Sequence, residues 1–116
     1  MPLAPAAHRT AISRTDLSRP TRAALDLGVL REGETFFDFG CGKGADIREL
    51  REAGYVVGGW DPHYAPDAPH VESDVVNIGY VVNVIADPNE RRLALEQAWR
   101  LARKVLVVSA RLHSER

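Results

Sequence analysis

The chain has 116 residues, 45% of them hydrophobic and 27% charged, with a net charge of −1. That leaves room for one globular domain with one core, and too little positive charge for a surface that coats nucleic acid. A single cysteine, Cys41, excludes an internal disulfide framework, and His8, His63, His70 and His113 lack zinc-ligand spacing, so no metal is expected.

Residues 1–15 are rich in proline and alanine and then polar, and are expected to form an N-terminal arm before a single domain spanning 16–116. Residues 1–31 carry a charge of +3 against about −4 on the remainder. Ser18 before Arg19-Pro20 predicts a helix start, with serine as N-cap and proline in the first turn, and Gly28 predicts its stop. Thr35–Phe39 reads as the first strand.

That strand runs into Asp38-Phe39-Gly40-Cys41-Gly42-Lys43-Gly44, an acid followed by three alternating glycines. A strand, a glycine turn and a helix bring backbone N–H groups and a helix N-terminus close to a ligand. Gly40, Gly42 and Ala45 also fit the looser dinucleotide pattern, which alone is weak. Asp38 discriminates: a carboxylate there gives nothing to an anionic pyrophosphate and suits a ligand bearing an ammonium group. Cys41, between two motif glycines, reads as a small packing residue.

A helix follows from Ala45 to Ala53, with Ile47, Leu50 and Ala53 on one face and Gly54 at its C-terminal cap. Tyr55–Trp60 reads as a second strand ending at Asp61, which lies 21 residues after Gly40. A βαβ nucleotide unit places a ribose-binding carboxylate roughly 20 residues on, so the two features support each other. Pro62, Pro66 and Pro69 exclude a helix in the next stretch. A third strand begins near Ser73 and runs to Gly79. Asp87-Pro88-Asn89-Glu90 combines a capping box with a first-turn proline and opens a helix to about Arg103, with Leu95, Ala98, Trp99 and Ala102 as its buried stripe. Lys104–Ser109 is a continuous apolar strand of the kind buried in parallel sheets.

Alternating strands and helices predict an α/β fold, a minimal Rossmann-like parallel sheet of about four strands in the order 2-1-3-4. Such a sheet leaves the last strand as an apolar edge, so a homo-oligomer is expected through that edge, the last helix or the N-terminal arm. The first residues lack the basic start and apolar run of a secretory signal, and no stretch approaches membrane-spanning length. The cytoplasm is the expected compartment, with no membrane partner.

The motif at Asp38–Gly44 resembles motif I of the class I S-adenosylmethionine (SAM) dependent methyltransferases. More specifically, Ala11-Ile12-Ser13-Arg14, Leu17-Ser18-Arg19-Pro20, Phe37–Gly42, Gly59-Trp60-Asp61-Pro62 and Asp74–Ile85 resemble the DNA phosphorothioation-associated methyltransferases, from about residue 8 onward. Members of that family are longer, and the chain corresponds to their N-terminal core, truncated relative to the usual seven-strand sheet. The resemblance implies SAM as cofactor, with S-adenosylhomocysteine as product. Asp38 and the Gly40 carbonyl would take the methionine ammonium and Asp61 the ribose, while Pro62 would pack on adenine. Cys41, Gly42 and Gly44 would complete the cofactor-binding turn, and Arg14 or Arg19 would pair the methionine carboxylate. The usual adenine-facing acid has no clear counterpart.

Asn77-Ile78-Gly79-Tyr80 falls where amino-methyltransferases of bases carry an Asn-Pro-Pro-Tyr type motif. In that motif the asparagine oxygen holds the target nitrogen and the aromatic ring stacks on a flat substrate. Asn77 and Tyr80 keep its ends, so both are candidate catalytic residues; Asn77 could instead bind the methionine ammonium. His63, Tyr64 and Tyr80 are candidates for the substrate pocket. The expected reaction is N-methylation of a flat heteroaromatic group, either a free purine- or pterin-like compound or a nucleic-acid base. Two other classes stand beside it: a non-catalytic SAM-binding or assembly module, and a dinucleotide-binding oxidoreductase domain.

Overall fold

The computed structural model describes residues 16–79 and 85–110. In chain order they form α1 (Arg19–Asp26), β1 (Thr35–Phe39), α2 (Ala45–Glu52), β2 (Val56–Trp60), β3 (Ser73–Gly79), α3 (Pro88–Leu101) and β4 (Ala102–Ser109). All four strands pair in parallel, in the order β2-β1-β3-β4. The α/β class and the strand order are those expected from the sequence. The proposed arm, residues 1–15, lies outside the described residues.

Side chains alternate across a strand, so β1 sends Phe36 and Asp38 to one face of the sheet and Phe37 and Phe39 to the other. α1 and α2 cover the first face, over a core of Leu17, Ala24, Leu30, Phe36, Leu50 and Val75. α3 covers the second, over Phe37, Phe39, Val76, Ile78 and Ala98. Burial on both faces is why β1 and β3 read as near-continuous apolar runs. On the second face no helix joins β2 to β3, as the three prolines require. There the His70 ring packs on Phe39 and Trp60, with centroids 5.2 and 5.0 Å away.

Three expectations need correction. α3 ends at Leu101 and β4 starts at once, at Ala102, instead of after Arg103. The buried stripe of α3 therefore runs through Ala94, Leu95, Ala98 and Leu101, and Trp99, one position off it, is 70% exposed. Ala98, packed against the sheet, has no exposed surface. β4 is not buried on both faces: as the outermost strand it leaves Val105 and Val108 exposed.

Ser18 stands at the N-cap of α1, but its side chain does not cap its own helix. Its N–H and hydroxyl instead donate to Asp46 in the first turn of α2, and the Thr21 hydroxyl donates to the same carboxylate at 2.8 Å. Thr21 is fully buried and Asp46 nearly so. One carboxylate thus ties the start of α1 to the start of α2 and places Ser18 and Pro20 beside the glycine turn. Nothing in the local pattern around Asp46 distinguishes it from an ordinary first-turn helix acid.

Candidate functional site

The glycine turn joins β1 to α2. Gly40, Gly42 and Gly44 all have positive φ, at 93°, 56° and 86°, a region in which a Cβ is strained. The turn's N–H groups, however, point largely inward. Gly40 and Cys41 both donate to the Trp60 carbonyl, at 2.6 and 2.9 Å, and Gly44 donates to the Cys41 carbonyl. Gly42 donates to Asp61 Oδ2 at 2.7 Å. Four of the turn's N–H groups, those of residues 40, 41, 42 and 44, are therefore engaged within the protein.

Asp61 lies just past the end of β2. Its Oδ1 accepts from the N–H groups of His63 and Tyr64, at 2.8 and 3.0 Å. Partial burial pushes its carboxyl up, but the three backbone donors together outweigh that and hold it below its ordinary value. Asp61 is thus a structural pin between the glycine turn and the β2 end, held as an anion, and it also lines a cavity.

Asp38 is set differently. It is 5% exposed, near the carboxyl end of β1, in register with Asn77 on β3. Asn77 Nδ2 donates to Asp38 Oδ1 at 3.1 Å. Burial raises the Asp38 carboxyl to about 7; the Asn77 bond works against this, and the charges of Asp46 and Asp61 add to it. Asn77 is itself 4% exposed, and its Oδ1 has no hydrogen-bond partner among the described residues. Buried polar groups are nearly always satisfied, so an open acceptor beside a buried carboxylate marks a place for a donor.

These residues line a cavity of about 230 Å³ with Ser18, Pro20, Gly40, Cys41, Gly42, Lys43, Asp46 and Gly79. Burial, then Asp38 and Asp61, push the Cys41 thiol up, consistent with packing and not nucleophilic chemistry. A second cavity, of about 540 Å³, shares Gly40 and Gly79 with the first and lies on the α3 side. Phe39, Trp60, Asp61, Pro62, His63, Ile85 and one face of α3 form its wall. The site is therefore bipartite, a small acidic end and a larger apolar end meeting at the carboxyl ends of β1 and β3, the place where open α/β sheets bind ligands.

The structure brings Asp38, Gly40, Cys41, Gly42 and Asn77 together at the acidic end, and Asp61, Pro62 and His63 at the apolar end. Gly44 shapes the turn as the left-handed N-cap of α2. Tyr64 packs its ring on His63, with centroids 4.7 Å apart, but lines neither of these cavities; it borders a third, open groove along the turn, where Lys43 Nζ sits 5.9 Å from its ring. Arg14 and Tyr80 lie outside the described residues. Among the contributors not foreseen, Asp46 adds a second carboxylate to the acidic end and Glu90 and Gln97 of α3 line the apolar one. Ser109, at the end of β4 in register with the wall residue Gly79, has a buried hydroxyl without a partner among the described residues. A serine closing an apolar strand carries no signal of its own, and only the pairing with Gly79 reveals it. Comparison of the chain with protein-family models, curated proteins and solved structures finds no match.

Proposed function

We propose that the chain binds S-adenosylmethionine and transfers its methyl group to a nitrogen of a flat heteroaromatic substrate. The observation that carries this reading is the acidic end of the site. Asp38 and Asn77 Oδ1 are two buried acceptors side by side, with Asp46 in the same cavity wall. Acceptors in a low-dielectric place attract a cation with N–H donors and repel a phosphate. SAM brings such a group, the ammonium of its methionine part, and its sulfonium is a second positive charge. The adjoining apolar cavity, floored by aromatic rings and flanked by Asp61, suits the adenosine part.

In this reading Asp38 accepts from the ammonium and Asn77 Oδ1 accepts beside it, while Nδ2 of Asn77 holds the carboxylate in place. Asp61 accepts from the ribose hydroxyls with the lone pairs its backbone donors leave, and Pro62 packs on the base. When bound, SAM supplies an electrophilic methyl that an amine lone pair displaces from sulfur, leaving S-adenosylhomocysteine and, after loss of a proton, the methylated amine. The protein's part is alignment and exclusion of water. Asn77 lies two residues inside the β3 end, level with Asp38, which favours its cofactor role over contact with the target nitrogen. Tyr80, next after Gly79, keeps its sequence-based role as the stacking ring.

A dinucleotide fits less well. Its pyrophosphate needs free N–H donors, and those of residues 40, 41, 42 and 44 are engaged. Calorimetric titration with S-adenosylhomocysteine, with NAD as control, tests the choice. Micromolar binding of the first alone is the expected result; binding of NAD alone would transfer the chain to the oxidoreductase reading. Saturable cofactor binding without methyl transfer to any heteroaromatic amine would leave a binding or assembly module.

Val105 and Val108 on the edge strand β4 and Trp99 on α3, at 36%, 51% and 70% exposure, support association with a second copy of the chain. Sedimentation equilibrium at micromolar concentration should return a dimer or larger species. A monomer throughout would remove this part of the proposal. Among the described residues no helix is long and apolar enough to cross a membrane.

A further inference from the structure

We propose that Gln97 is the residue that reads the base of the cofactor, an inference that rests on placing adenosine in the larger cavity. That cavity is walled chiefly by Phe39, Trp60, Pro62, Ile85, Leu93 and Ala94. In a mostly apolar cavity the few polar groups fix the orientation of the ligand. Among the described residues four polar side chains are present: Asp61, His63, Glu90 and Gln97. Asp61 and His63 belong to the turn after β2 and stand at the sugar end. Glu90, in the first turn of α3, lies with them at the carboxyl ends of the strands.

Gln97 stands apart from these three. Glu90, Leu93, Ala94 and Gln97 are spaced i, i+3, i+4 and i+7, so they share one face of α3. α3 connects the carboxyl end of β3 to the amino end of β4 and therefore runs back along the sheet. Seven residues of helix carry Gln97 about 10 Å further along the sheet than Glu90, a span comparable with the length of a nucleoside. A sugar held at Asp61 thus leaves its base lying over Leu93 and Ala94, with its far edge toward Gln97. A carboxamide offers one donor and one acceptor in a plane, which matches the exocyclic amino group and adjacent ring nitrogen of adenine. This supplies from α3 an adenine contact, for which the sequence offers no clear acidic counterpart.

The test pairs a change in the protein with a change in the ligand. Wild type and Gln97→Leu are titrated with S-adenosylhomocysteine and with its analogue lacking the exocyclic amino group. Wild type should bind the analogue about tenfold more weakly. Gln97→Leu should lose about tenfold for S-adenosylhomocysteine and show no further loss for the analogue, because the two deletions remove the same contact. Gln97→Glu, which keeps an acceptor, should retain the dependence on the amino group. Equal penalties for the analogue in wild type and Gln97→Leu would overturn the assignment while leaving the cofactor reading intact. Failure of wild type to bind S-adenosylhomocysteine at all would overturn both. Gln97 is exposed on α3, and matching circular dichroism spectra for the variants would show that the fold is not what changed.

Discussion

Replacing Asp38 by asparagine should make the free protein more stable above neutral pH and deprive it of its ligand. The Asp38 carboxyl is raised from an ordinary 3.8 to about 7, with burial the largest cause. Between pH 4 and 7 the folded chain therefore holds a proton that the unfolded chain has released. Stability contributed at this position is fully present below pH 4 and is lost as the pH rises to 7. Above pH 7 the folded protein carries a buried anion at a cost of a few kcal/mol, which Asp38→Asn removes while still accepting from Asn77 Nδ2. A melting temperature several degrees above wild type at pH 8, and no gain at pH 4, is the expected pattern.

The ligand reverses the balance. An ammonium seated on Asp38 binds the ionised form, so wild-type affinity for S-adenosylhomocysteine should rise with pH up to about 7 and then level, with a proton released on binding below that point. Breaking a buried charge pair costs about 3 kcal/mol, so Asp38→Asn should bind roughly 100-fold more weakly and without this pH dependence. Calorimetry in buffers of different ionisation enthalpy reads both the affinity and the proton. A variant that gains stability yet binds as well as wild type would show that the cavity does not take a cation at Asp38.

Stability and binding pull in opposite directions at this residue because the same burial that penalises the free carboxylate strengthens its attraction for a cation. That opposition was partly legible in the sequence. An acid two residues before a glycine turn, on an apolar strand, had to be close to buried, and its type argued against a phosphate. The sheet order was legible too, since continuous apolar runs alternating with one-faced helices leave few parallel arrangements. What could not be read were contacts between distant segments. Asp46 resembles any first-turn helix acid until Ser18 and Thr21 fold against it. The engagement of the glycine-turn N–H groups depends on where the Trp60 carbonyl falls, which is fixed by the register of β2 on β1. Trp99 was not legible for a local reason: it is an apolar residue directly beside the stripe position Ala98, and residue type alone does not say which of two adjacent helix positions faces the sheet.

Gly59 is the other such contact, and Gly59→Ala should be the most damaging single methyl added to the described fold. The sequence offers Gly58 and Gly59 as a pair inside a strand, where glycine ordinarily weakens pairing. The two differ in what surrounds them. A Cβ at Gly58 would meet only the Phe37 ring, at 3.5 Å, an ordinary contact. A Cβ at Gly59 would run into Ile47 of α2, would stand 2.9 Å from the Cys41 Cβ and would press on the Asp38 carbonyl at 3.0 Å. Ile47 can turn aside, but Cys41 and Asp38 are held by the turn and by the β1 ladder. The strain falls on backbone that the ligand site shares. Overpacking of this kind costs up to about 3 kcal/mol. For a domain of this size that lowers the melting temperature by more than ten degrees. Gly58→Ala is the control, expected within about 1 kcal/mol of wild type. Because the contacts that cannot give way are those with Cys41 and the Asp38 carbonyl, Gly59→Ala should also loosen the glycine turn and weaken S-adenosylhomocysteine binding, an effect Gly58→Ala should not share. Urea unfolding of the two variants beside wild type, followed by titration of the folded fraction, separates the loss of stability from the loss of the site. Equal midpoints for the two variants would mean that α2 is not seated against β2 as closely as this packing requires.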